Sequence, residues 1–210
     1  IPRFSFVRQS PESLETRSVQ DILDAIESQR DASLEELKTY LRFPSVSTDP
    51  EFAGEVGRCA EYVAGRLRAA GFTTEIHPTA RHPIIFAERI EDPALPTVLI
   101  YGHYDVQPPD PIDLWETDPF EPIIRDGYVF ARGAHDNKGQ NFCHLKAVET
   151  FHRVRGRLPL NVKFMIEGEE EIGSPSLEGF MRANAERLKA DYAVVSDTSM
   201  FAKGVPALLY

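Results

Sequence analysis

Four short segments of this 210-residue chain carry groups that bind hard or borderline metal ions. They are Gly102-His103-Tyr104-Asp105, Gly133-Ala134-His135-Asp136-Asn137-Lys138-Gly139, Glu167-Gly168-Glu169-Glu170-Glu171-Ile172-Gly173-Ser174 and Ser196-Asp197-Thr198. Imidazole nitrogen and carboxylate oxygen are donors that divalent cations take. One imidazole and several carboxylates in one crevice repel one another unless cations neutralise them. The chemistry indicated is that of a metal site, and the number of acids suits two ions.

Hydrophobic periodicity says where these segments sit. Val19, Ile22, Leu23 and Ile26 recur at helical spacing, which predicts a helix over 18–30. Ser33 and Glu36 form a Ser-x-x-Glu capping box ahead of the stripe Leu34, Leu37 and Leu41, and that helix should stop before Pro44. A third helix is expected over 54–70, with Gly71 as its C-terminal cap. Strands are expected over 73–77 and 84–90. The continuous apolar run Thr97-Val98-Leu99-Ile100-Tyr101 reads as a strand buried on both faces. A loop rich in proline and acid follows, then a hairpin over 123–130 turning at Asp126-Gly127. A helix over 138–153 and a buried strand over 160–166 come next. Ser174-Pro175 should open a helix running to 189, with strands over 192–195 and 206–210 at the end. Helices alternating with strands give an α/β class, expected as a three-layer sandwich with a mixed, mostly parallel sheet between helices. The first, third and fourth acidic segments then lie where strands run out, and the second lies between a hairpin and a helix. Open sheets of this kind gather such strand ends into one crevice.

The bulk composition is ordinary for one soluble domain: 42% hydrophobic and 27% charged residues. Net charge is −10, with no stripe of Lys and Arg, which argues against a nucleic-acid partner. Five of the acids, Asp105, Asp136, Glu170, Glu171 and Asp197, belong to the candidate site. Cys59 and Cys143 form no Cys-x-x-Cys pair; both read as buried small hydrophobes, which fits a reducing, cytoplasmic setting. No apolar run approaches the ~20 residues of a membrane span. Residues 1–17 are polar, lack a clear period and begin with Ile, which reads as a loose arm or tag remnant ahead of a domain over 18–210.

Each motif has a plain alternative. His103 and Asp105 are two apart; Asp105 can accept the second ring N–H of a metal-bound His103, or the two can be an ordinary surface pair. Asp136 precedes a helix and can be a ligand or a simple N-cap, with Asn137, Lys138 and Gly139 as the first turn. His135 is not expected to be a ligand. Three successive glutamates after a buried strand are costly unless solvated or cation-bound. A use exists for two of them: one holds a metal, and its neighbour carries a proton from water to a leaving amine. Asp197 alone is no signal. Four such segments in this order make coincidence implausible.

The stretches GHYDVQP, ARGAHDNKGQ, EGEEEIGS and VVSDT resemble the zinc metallopeptidase family of aminoacylases, succinyl-diaminopimelate desuccinylase, carnosinases and cytosolic non-specific dipeptidases. The stretch Trp115-Glu116-Thr117-Asp118-Pro119-Phe120, with Arg125-Asp126-Gly127, looks most like the dipeptidase branch. The resemblance runs from about residue 19 to the end. It implies that His103, Asp136 and Asp197 hold one Zn2+, and that Asp136 bridges to a second Zn2+ which Glu171 also binds. It implies Glu170 as general base, Asp105 as partner of His103, and a cis peptide between Asp136 and Asn137. The substrate would be a dipeptide or related amide.

Members of that family are considerably longer, with a lid domain and a returning half that supplies a second metal-binding histidine. In this sequence no histidine follows His144 and His152. The expectation is therefore the N-terminal part of such a catalytic domain, lid absent, inactive alone, with association through an exposed truncated face as a possible homodimer. Two other readings stand beside it: a metal-binding relic or complementing half, and an amidohydrolase or deacylase of N-acyl amino acids.

Overall fold

The structure, a computed structural model, describes residues 19–202, 204 and 205. The arm expected over 1–17 and the strand expected over 206–210 lie outside the described residues. In chain order the elements are α1 Gln20–Ser28, α2 Arg30–Leu41, α3 Ala53–Ala69, β1 Thr73–His77, β2 Ile84–Arg89, β3 Thr97–His103, β4 Ile123–Arg125, β5 Tyr128–Phe130, α4 Lys138–Arg155, β6 Asn161–Glu167, α5 Leu177–Ala183 and β7 Tyr192–Val195.

Five strands form one sheet in the order β1-β2-β6-β3-β7. β3 pairs parallel with β6 and with β7, while β2 is antiparallel to both β6 and β1. β6 is buried at every position because it lies between two strands and carries a core on each face. On one face Val162, Phe164 and Ile166 pack with Val63 and Leu67 of α3 and Leu145 and Val148 of α4. On the other, Met165 joins Ile84, Phe86 and Leu188, with Leu177 and Phe180 of α5 against them. Helix, sheet and helix therefore stack in three layers. Truncating the central Phe164 to Ala would cost about 3–5 kcal/mol. β4 and β5 form a separate hairpin whose turn residues Asp126 and Gly127 take φ values of 53° and 79°. Both lie in the left-handed region that a two-residue Asp-Gly turn requires.

The structure departs from the sequence expectation in four places. Within Thr97–Tyr101 only Ile100 is buried; the rest are half-buried, because the neighbouring β7 is an exposed edge strand with Tyr192 and Val195 open to solvent. The Ser33 capping box does not form. α2 already begins at Arg30, directly after α1, so the Ser33 N–H donates to the Gln29 carbonyl at 2.8 Å like any interior helical amide. Ser174 does not cap a helix either. Its φ is 51°, and its hydroxyl donates to the Glu167 carboxylate at 2.9 Å. α5 starts three residues later and ends at Ala183, where the Asn184 amide competes for the Phe180 carbonyl at 2.9 Å. Finally, Cys59 is buried as expected but Cys143 is exposed on α4. No helix among the described residues is long and apolar enough to cross a membrane.

Candidate metal centre

The parallel register of β6, β3 and β7 decides where the acids meet. His103 at the end of β3 stands opposite Glu167 at the end of β6, and Tyr101 stands opposite Val195 at the end of β7. Strands that run the same way and end together release their loops at one edge. Asp105 follows β3, Glu169–Glu171 follow β6, and Asp197 follows β7. The hairpin-to-helix junction delivers Asp136 to the same place, since α4 begins two residues later.

His103 is fully buried and is the hub. Its Nδ1 lies 3.1 Å from the Asp105 main-chain oxygen and 3.3 Å from the Asp105 carboxylate. Both are acceptors, so Nδ1 carries the proton in the neutral ring and Nε2 presents its lone pair on the opposite side. Nε2 lies 3.1 Å from Asp136 Oδ1, 3.6 Å from Asp197 Oδ2 and 3.9 Å from Glu170 Oε2. Asp105, also fully buried, ties the acid loop to the same hub. Its two carboxylate oxygens accept the main-chain N–H groups of Glu170 at 3.3 Å and Glu171 at 3.1 Å.

The three glutamates go to different environments. Glu169 turns inward and is fully buried. It accepts hydrogen bonds from the Thr79 hydroxyl at 2.5 Å, the His82 N–H at 2.9 Å, and the Ser176 N–H and hydroxyl at 3.1 Å. Burial would raise its pKa, but these donors outweigh it and hold the carboxyl below the ordinary glutamate range. Glu170 keeps part of its side chain in solvent. Burial, aided by the charges of Asp197, Asp105 and Asp136, pushes it upward against the pull of His103. Glu171 is raised by burial too, and Gln107 Nε2 donates to its Oε2 at 2.7 Å. For His103, burial alone would lower the imidazole. The Asp105 hydrogen bond and charge, with Glu170 and Asp197, overcome this and push it up to about 9.

Two sets of donor atoms lie within 4.8 Å of one another: His103, Asp136 and Asp197, and separately His103, Glu170 and Glu171. Both share the one histidine, and among the described residues no other histidine joins either set. Tetrahedral Zn2+ with bonds of about 2.0–2.2 Å holds its ligand atoms about 3.3–3.5 Å apart. The 3.1 and 3.6 Å separations around His103 Nε2 bracket that spacing, and imidazole with carboxylates is a donor set zinc accepts. The residues present fit a zinc ion.

All six residues singled out from the sequence, His103, Asp105, Asp136, Glu170, Glu171 and Asp197, lie at this edge of the sheet. His135 joins neither set; its main-chain oxygen accepts from Gln140 Nε2. The Asp136–Asn137 peptide is cis. Three polar neighbours were not anticipated as participants. Asn137 and Asn141, both buried at the start of α4, grip the main chain of His103, and Gln107 holds Glu171. Asn137 belongs to the segment Asp136-Asn137-Lys138-Gly139, where helix-start chemistry alone accounts for it. Its tertiary partners become visible only in three dimensions.

Residues 99–208 match the profile of Peptidase family M20/M25/M40. The chain is 34% identical over 206 residues to Beta-Ala-His dipeptidase of Rattus norvegicus, covering 91% of this chain and 42% of that protein. It is 33% identical over 206 residues to Cys-Gly metallodipeptidase dug1 of Schizosaccharomyces pombe, covering 92% and 43%. The crystal structure of human carnosine dipeptidase 1 superposes with a TM-score of 0.81 at 34% identity, over 86% of this chain and 41% of that one. The chain thus spans less than half the length of these relatives.

Proposed function

Because the chain belongs to peptidase family M20/M25/M40, we propose that it carries the metal-binding and proton-transfer groups for hydrolysing a dipeptide or related small amide. The observation that carries this reading is His103 Nε2 facing Asp136, Asp197 and Glu170 from within 4 Å while Asp105 holds Nδ1. His103, Asp136 and Asp197 would hold one Zn2+; Asp136 and Glu171 would contribute to a second. Bound zinc supplies Lewis-acid polarisation of the scissile carbonyl and lowers the pKa of water.

This chain's own residues do the rest. Asp105 fixes the ring of His103, and Gln107 fixes Glu171. Glu170, part-exposed and raised above the ordinary carboxylate range, takes the proton of the attacking water and returns it to the leaving amine. The raised value suits the second half of that duty, since the protonated acid must donate near neutral pH. Both donor sets draw on the single imidazole of His103, so among the described residues the second ion has no imidazole of its own, and the chain by itself should bind metal more readily than it turns over substrate.

The test is a dipeptide panel against the chain combined with the C-terminal part of a dipeptidase relative, with Zn2+ present. Turnover that disappears in Glu170→Gln while zinc stays bound supports the reading. Turnover that survives Glu170→Gln defeats the assignment of the base, and a chain that takes up no zinc defeats the metal site.

A further inference from the structure

We propose that Asn137 is a positioning residue, a clamp that sets both His103 and Asp197 at the geometry a metal ion needs. The inference rests on the metal-site reading above and goes beyond its ligands. Asn137 is buried, with about 1% of its surface exposed, and every polar atom of its side chain is used. Oδ1 accepts the main-chain N–H of His103 at 3.3 Å. Nδ2 donates to the Ser196 carbonyl at 2.7 Å and to Asp197 Oδ1 at 3.1 Å. The amide cannot be turned over, because an N–H lies on one side and two acceptors on the other.

The consequence for Asp197 is specific. With Oδ1 occupied by Asn137, Oδ2 is the oxygen directed at His103 Nε2, 3.6 Å away. The carboxylate is thus prepared to offer a single oxygen. The consequence for His103 is equally specific. Asn141, one helical turn on, donates its Nδ2 to the His103 carbonyl at 2.7 Å. Two asparagines on one face of the start of α4 therefore hold the N–H and the C=O of the same residue. His144, in the same helix, places its Nε2 2.7 Å from the Ser196 hydroxyl, giving the Asp197 loop a second tether. Neighbours that orient metal ligands are worth about 10–100-fold in metal affinity when removed.

The experiment titrates the chain with Co2+, whose visible spectrum reports the number and geometry of ligands, and compares the parent with Asn137→Ala. The expected result is affinity weaker by about 10–100-fold, with the d–d absorption changed because Asp197 is no longer constrained to one oxygen. The same loss should be much smaller in an Asp197→Ala background, where the clamp has only His103 left to hold. Equal affinity and an unchanged spectrum in Asn137→Ala would overturn the clamp while leaving the metal site standing. Absence of Co2+ binding by the parent would overturn the metal-site reading and the clamp with it. Should Asn137→Ala fail to fold, the unmutated chain decides by NMR. Asn137 side-chain amide protons that are protected from exchange and shifted by Zn2+ support the proposal; protons exchanging like those of an exposed asparagine contradict it.

Discussion

His103 and Asp105 meet twice: Nδ1 of the imidazole sits 3.1 Å from the Asp105 main-chain oxygen and 3.3 Å from its carboxylate. One residue thus fixes the tautomer through its backbone and the charge through its side chain. The same carboxylate receives the N–H groups of Glu170 and Glu171. Histidine and acid loop are therefore held by a common part, fully buried and out of reach of water.

Replacing that part should loosen both at once. Asp105→Asn keeps the shape, but its amide can no longer accept at both ends, so one of the Glu170 and Glu171 N–H groups is left without an acceptor, and the imidazole loses the neighbouring negative charge. We expect zinc affinity to fall by about 10–100-fold, read by competition with a chromophoric chelator. The helical far-UV signal should persist.

The pH response has a definite sign. His103 is pushed up to about 9 from an ordinary 6.5, so its proton stabilises the folded metal-free chain. That stabilisation is fully present below 6.5 and is lost as pH rises through 9. Zinc must displace the same proton. Uptake at neutral pH should release a proton, and affinity should climb by up to about tenfold per pH unit until it levels off near 9. Calorimetry in two buffers of different ionisation enthalpy measures the proton; an identical heat in both would contradict the assignment.

Adjacent glutamates should behave differently. Glu169→Ala strands the His82 and Ser176 N–H groups, at about 1–3 kcal/mol for each buried unpaired donor, while the Thr79 hydroxyl keeps the His82 carbonyl as its acceptor. Thermal melts should show a large loss of stability. Because the Glu169 carboxyl is held low, its contribution exists above the unfolded glutamate range and disappears as pH falls through the depressed folded value. The gap in melting temperature between parent and variant should therefore be widest near neutral pH and narrow as the solution is acidified. Glu170→Gln, at a part-exposed position, should change stability by less than about 0.5 kcal/mol.

Gly102 is required for packing. A Cβ there would lie 2.2 Å from Asn141 Oδ1 and 2.7 Å from Asn141 Cγ and Nδ2. Gly102→Ala must displace the buried Asn141 amide and break its bond to the His103 carbonyl. We expect about 1–3 kcal/mol of destabilisation together with weaker zinc binding. A variant as stable as the parent, with unchanged affinity, would show that Asn141 has room to move.

Much of this was legible in the chain. β6 announces itself through Val162, Phe164 and Ile166, and the Asp126-Gly127 turn fixes its hairpin, because both depend on local pattern. The acids at strand ends were legible because charge after a buried apolar run has few structural uses. What escaped was tertiary. Ser33 reads as a cap in sequence, but Gln29, directly after α1, supplies an acceptor to its amide. Ser174 looked like one too, until Glu167 claimed its hydroxyl. Glu169 could not be told from Glu170 by sequence, because its donors come from residues 79, 82 and 176. Asn137 was hidden for the same reason.

The central claim is that divalent metal is held by His103 among these acids. Zinc content of the purified chain, loaded and then dialysed, tests it most directly beside a folded His103→Ala variant. The account predicts at least one tightly held ion per parent chain and loss of that ion in the variant. Equal zinc in both, or no stoichiometric zinc in the parent, would contradict it.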